Sequence, residues 1–102
     1  MNELQIYLKV RGITTAQLAR ELGWKMHRVQ KTVKCQRHNA AVRRAIASHL
    51  GLDPRRTWTR RGVSASYLAT QTERAAKDAA VEEAQRRLAR IRAEADCAQG
   101  AA

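Results

Sequence analysis

The chain has 102 residues, a formal net charge of +11, a pI near 11.1, two Trp, two Tyr and no Phe. That length suits one small domain with an appendage rather than two full domains, and the charge points to a polyanionic partner. No apolar run approaches the ~18 residues of a membrane span. Cys35 and Cys97 stand alone without a C-x-x-C pair, so no disulfide framework is expected and a reducing compartment fits.

The charge is unevenly spread. Residues 1–62 hold fourteen Lys or Arg against Glu3, Glu21 and Asp53 alone, whereas residues 63–102 hold six basic and six acidic residues. The first part is therefore the one that meets the anion, and the second part does something else. The N-terminus shows no long apolar run and no cleavage pattern, so no secretion signal is expected.

In chain order, a first helix is expected over about Glu3 to Arg11. Asn2 caps it, Leu4, Tyr7 and Leu8 form its buried stripe, and Gly12 stops it. The stretch Thr14 to Lys34 reads as two helices joined by a tight turn. Thr14 with Gln17 has capping-box spacing, Ile13 and Leu18 make a hydrophobic staple, and Gly23 gives the stop. The next helix places Met26, Val29 and Val33 inward at i, i+3, i+7, with His27, Arg28, Gln30, Lys31 and Lys34 opposite. A small Ala19, the turn glycine and Val29 six residues later make the spacing of a helix-turn-helix, which a helical hairpin in any small all-α domain shares.

After a polar link, Cys35 to Asn39, a helix over Ala40 to Leu50 turns Val42, Ala45, Ile46 and Leu50 inward, with Gly51 as its stop. Asp53-Pro54 opens a short last helix through about Trp58, proline being favoured at a first helical position. The cluster Arg55-Arg56-Thr57-Trp58-Thr59-Arg60-Arg61-Gly62 is either a solvated basic linker or a set of phosphate contacts.

From Ser64 to Cys97 the chain is Ala-rich and free of Gly and Pro, with Glu73–Lys77, Glu82–Arg86 and Glu83–Arg87 at i, i+4. A seam runs through Val81, Ala84, Leu88, Ile91 and Ala95 until it meets Lys77 and Arg74. Two readings stand: a solvated or fraying helix, and a helix for self-association or a partner. Ala98 to Ala102 are expected to be disordered. The fold class is thus all-α: a compact five-helix helix-turn-helix domain over 1–62, then an Ala-rich helical tail over 63–102. On this division a chain ended at Gly62 remains folded.

Ile13-Thr14-Thr15-Ala16-Gln17-Leu18-Ala19 through Gly23, then Val29, then Ile46-Ala47-x-x-Leu50-Gly51-Leu52-Asp53-Pro54, resembles the lambda-repressor-like helix-turn-helix domains of phage and bacterial regulators. The ending, with Trp58 and a basic segment behind it, looks like the Ner-type regulators of Mu-like transposable phages. The resemblance covers about three-fifths of the chain, Met1 to Gly62. It implies a five-helix bundle that binds operator DNA, usually as a dimer, and commonly represses transcription in the cytoplasm of a bacterial host, on its nucleoid. Lys25 departs from the pattern, because many relatives have Ser, Thr or Asp there to cap the recognition helix.

The expected function is sequence-specific binding of double-stranded DNA by a transcriptional regulator of phage or prophage type. Arg28 and Lys31 suit guanine, Gln30 suits adenine, and His27 can donate or accept. Lys25, Lys34, Arg37, Arg55, Arg56, Arg60 and Arg61 suit phosphates. A homodimer or weak homo-oligomer is expected through Val81, Ala84, Leu88, Ile91 and Ala95. The alternatives are an architectural or accessory factor in recombination or transposition, and a protein-interaction adaptor acting through the C-terminal helix. Cys35-x-x-His38 has a metal-like spacing but lacks a second pair. No phosphate-binding glycine loop and no nucleophile with a base is present. No metal, cofactor, membrane, small-molecule substrate or enzymatic activity is therefore expected.

Overall fold

A computed structural model describes residues 1–100, with side chains through Ala98. The protein is all-α: α1 (Glu3–Val10), α2 (Thr15–Leu22), α3 (Met26–Val33), α4 (Ala40–His49), α5 (Pro54–Thr57) and α6 (Ala65–Gly100). Among the described residues there is no strand, only an isolated bridge between Trp58 and Val63. Among the described residues no helix is long and apolar enough to cross a membrane.

Each helix start has its local cause. Asn2 forms a complete capping box: its side chain accepts from the Gln5 N–H at 2.9 Å and its own N–H donates to Gln5 Oε1 at 2.8 Å. Thr14 Oγ1 accepts from the Gln17 N–H, but the Gln17 side chain turns to Glu21, so only half of that box forms. Asn39 caps α4 through two N–H groups, and Asp53 caps α5 with Pro54 in the first helical position. Asn2 does more than cap. Its amide also donates to the Val33 carbonyl at 2.7 Å, joining the start of α1 to the end of α3. Asn2→Ala is therefore expected to lower stability by about 2 kcal/mol, the upper end for a lost cap, which a urea titration against the parent chain measures.

Helix ends are equally local. Gly23 sits at φ 70°, and the Trp24 N–H reaches back to the Ala19 carbonyl, closing α2 and turning the chain into α3. The end of α3 has the same bond pattern with a cysteine in the left-handed position: Cys35 lies at φ 60°, and the Gln36 N–H donates to the Lys31 carbonyl at 2.8 Å. A side chain there is unfavourable by about 1–2 kcal/mol. Packing at Cys35 and the Asn2 amide on Val33 hold the turn in that shape.

The core comprises Leu4, Tyr7, Leu8, Leu18, Ala19, Val29, Val33, Val42, Ile46, Ala47, Leu50, Leu52 and Leu68. Two inward assignments change. Met26 is 49% exposed, because it opens α3 one turn beyond the core's edge, and Thr32 is buried in its stead. Burying that hydroxyl is tolerable because it donates to the Arg28 carbonyl at 2.9 Å. In α4, Ala47 is fully buried while Ala45 is half-buried.

The boundary at Gly62 also moves. Leu68 is fully buried, Tyr67 and Ala75 pack against the core, and α6 lies along α1. Tyr67 Oη accepts the Asp53 N–H at 2.9 Å, and Arg56 stacks over its ring at 4.7 Å. The first three turns of α6 thus belong to the folded domain, adding Leu68, Tyr67 and Ala75 to its core. Beyond Ala75 every described residue of α6 is exposed. The helix continues alone to Gly100, through Ala98, which was expected to be disordered; Ala101 and Ala102 lie outside the described residues. At ~1.5 Å per residue its 36 residues span about 54 Å, which accounts for most of the molecule's 65 Å length.

Candidate nucleic-acid interface

Between Glu21 and Asp53 the chain has no carboxylate, and it carries Lys25, Arg28, Lys31, Lys34, Arg37, Arg43 and Arg44. The fold sorts these cations. With 3.6 residues per turn, burying Val29, Thr32 and Val33 puts His27, Lys31 and Lys34 at the centre of the outer face of α3. Arg28 and Gln30 take its two margins. His27, Arg28, Lys31 and Lys34 are exposed, and Gln30 is half-buried at the edge of the core. Lys25 is the residue before the first turn and makes no side-chain cap, so the helix start has its N–H groups and a lysine ammonium together.

The basic segment after α5 is an ordered turn rather than a linker. The Thr59 N–H donates to the Gly62 carbonyl, the Gly62 N–H to Thr59 Oγ1, and the Ser64 N–H to the Thr57 carbonyl. Arg60 and Arg61 form its exposed tip. Two contacts place that tip. Gly62 packs against Cys35, so that an added Cβ would lie 3.6 Å from Sγ, bringing the turn to the C-terminal end of α3. Arg43 donates to the Thr59 carbonyl at 3.0 Å and stacks over Trp58 at 5.0 Å, while the Trp58 indole N–H donates back to the Arg43 carbonyl at 2.8 Å. Lys34 caps the end of α3 and Arg37 follows it, while Arg60 and Arg61 directly precede the Gly62 that packs on Cys35.

Arg55 and Arg56 lie on α5. α5 packs on α4 and α6. Arg55 lines a groove with Arg43, Arg44, Ser48 and Trp58, and Arg56 stacks on the Tyr67 ring. The seven phosphate candidates thus divide into Lys25 and Lys34 at the two ends of α3, Arg37, Arg60 and Arg61 on the exposed segments that follow α3 and α5, and Arg55 and Arg56 on α5.

Arg43 is the residue that sequence reasoning missed. It also donates to His38 Nδ1 at 2.6 Å, and its Nε is buried without a partner among the described residues. Nothing in its spacing on α4 separates a pinned arginine from the exposed Arg44 beside it. Electrostatics elsewhere serve the scaffold. Glu21 on α2 meets His49 on α4 at 2.5 Å. The His49 hydrogen bond, then that of Gln17, holds its carboxyl below the ordinary 4.5. That tether persists above the ordinary carboxylate range and is lost only as pH falls through the lowered value. Burial pushes the Cys35 thiol up, against the opposing pull of Arg43.

The tail candidates share one stripe of α6. Val81, Leu88 and Ile91 are 55%, 53% and 60% exposed, and Ala84 and Ala95 lie exposed between and beyond them. Glu82–Arg86 and Glu83–Arg87 pair along the helix at 3.8 and 2.9 Å. No protein-family model, curated protein or solved structure matches the chain.

Proposed function

We propose that this protein is a sequence-specific double-stranded DNA-binding transcriptional regulator, of the lambda-repressor-like type and resembling the Ner-type phage regulators. The observation that carries the reading is the outer face of α3: His27, Arg28, Lys31 and Lys34 exposed, no carboxylate among them, on a helix fixed from behind by three fully buried residues. An eight-residue helix so held fits the major groove, where base pairs differ in their donors and acceptors. His27, Arg28, Gln30 and Lys31 are the base-reading residues. Lys25, Lys34, Arg37, Arg60 and Arg61 hold phosphates on either side, with Arg55 and Arg56 as outlying contacts. Self-association through α6 supplies the second half-site that a single short helix needs.

Selection from a random DNA pool at stated salt tests the reading. A regulator should exceed its own non-specific affinity by at least about 10³; a flat profile instead favours an accessory or architectural factor. Gln30→Ala and Lys31→Ala are each expected to lose about 1–3 kcal/mol of discrimination at one base pair while leaving the thermal transition in place. Equal weakening on all sequences, measured by titrating selected and scrambled duplexes, would show that α3 does not read bases. Loss of neither affinity nor preference would leave DNA binding without its main support and favour an adaptor acting through α6.

A further inference from the structure

Resting on the self-association reading, we infer that two copies pair through α6 in antiparallel orientation, Leu88 of each against Ile91 of the other and Ala84 against Ala95. The seam itself sets the length of the pairing. Val81, Ala84, Leu88, Ile91, Ala95 and Ala98 recur at alternating spacings of three and four, all exposed, and the next positions inward are Lys77 and Arg74. Antiparallel pairing about a two-fold axis between Leu88 and Ile91 uses every apolar layer, Val81 closing on Ala98 at each end, and leaves both charged positions outside.

Flanking charge selects the orientation. A parallel, in-register pair over the same seam sets Arg87 of each copy beside Arg92 of the other, so like charges meet twice. The antiparallel pair sets Arg87 beside Glu94 twice and Gln85 beside Arg92, with no like-charge meeting. Glu94 forms no ion pair within its own chain among the described residues, whereas Arg87 reaches Glu83 at 2.9 Å and lies on the same edge of the seam.

Space selects the register. Sliding one heptad, so that Leu88 meets Ala84, brings Arg87 against its own copy. It also drives the end of α6 onto Gln71, Thr72 and Ala75 of the other domain, which are half-buried where α6 leaves the core. In the register proposed here Ala98 meets Val81 and Gly100, the last residue of α6, lies opposite Ala79, four residues short of Ala75. From Leu68 to the two-fold axis is about 32 Å of helix at ~1.5 Å per residue, so the two Leu68 anchor points stand about 64 Å apart along α6.

The test uses the full chain without DNA, by sedimentation across a concentration series. Arg87→Glu should weaken dimerisation by about tenfold, two attractive surface contacts having become repulsive, and Arg87→Glu with Glu94→Arg should restore it. If Arg87→Glu strengthens the dimer, the pairing is parallel and the inference falls while self-association survives. A chain that stays monomeric at every concentration overturns both. A second measurement uses Ala84→Cys and Ala95→Cys chains, each with Cys35→Ser and Cys97→Ser, joined by a short bis-maleimide. Ala84, Ala95 and Cys97 are exposed, and Cys35→Ser, at a half-buried position, is a near-isosteric change checked by the thermal transition of the Cys35→Ser, Cys97→Ser chain. Mixed 84–95 products support the antiparallel register, and 84–84 products overturn it.

Discussion

Ending the chain at Gly62 is expected to abolish cooperative unfolding, whereas ending it at Ala79 leaves the melting temperature nearly unchanged. The difference lies in three turns of helix. Residues 63–79 contain Leu68, fully buried, with Val63, Tyr67 and Ala75 packed against the same core. Their loss uncovers the side of α1 that carries Tyr7 and removes the Tyr67 hydroxyl from the Asp53 N–H. Leu68→Ala alone should cost about 2–5 kcal/mol, against a total of only about 5–15 kcal/mol for a domain. Leu88→Ala, on the exposed part of the same helix, should stay within about 0.5 kcal/mol in the monomer. Urea titrations of the two truncations and the two substitutions decide the matter. A 1–62 chain that unfolds at the parent midpoint would return the domain boundary to Gly62.

Raising salt from about 50 to 200 mM should lower DNA affinity by about 10³, the drop expected for roughly six neutralised phosphates and a log–log slope near −5. On the proposed function, unequal shares of that slope are expected. Arg60 and Arg61 sit at the tip of a turn packed against Cys35 at the end of α3. Replacing both with Ala should make the slope shallower by about 2, each phosphate contributing ~0.9, with the preferred sequence unchanged. Arg55→Ala with Arg56→Ala should change it less, because α5 packs towards α4 and α6 and Arg56 already stacks on Tyr67. Fluorescence titrations at four salt concentrations measure both slopes. Equal slopes for the two pairs would mean that the turn beside α3 has no special place in binding.

Much of this architecture is legible in local chemistry. Asn2, Thr14, Asn39 and Asp53 each stand one residue before a helix and each accepts the N–H bond that short polar side chains offer there. Gly23 and Gly51 have the positive φ that their places after helices imply. What stayed hidden depends on distant partners. Leu68 lies in an Ala-rich run whose polar surroundings give no buried stripe, so only the packing of α6 on α1 reveals it. The exchange of Met26 for Thr32 turns on where the core ends, and a hydroxyl bonded to its own helix looks in sequence like any polar residue. Arg60-Arg61 is an unusual pair for a tight turn, which favours Gly or Asn, and Arg43, on another helix, holds that turn in place. The basic face of α3 was visible as a pattern; the packing of Gly62 on Cys35, which brings the Arg60-Arg61 turn towards the end of α3, was not.

The division of α6 into an anchored and a solvated part means that one helix has two kinds of order. Amides up to about Ala75 exchange with solvent only when the whole domain opens, whereas those beyond are protected by helix–coil equilibrium alone. A helix without tertiary support frays from its free end, gradually rather than all at once. Where the chain is monomeric, ellipticity at 222 nm should slope downward well below the transition. Fluorescence from Trp24 and Trp58, both packed on the core, should stay flat and then break sharply. The two curves will not superimpose, and a van't Hoff enthalpy taken from ellipticity will fall below the calorimetric one although the folded domain itself unfolds in a single step.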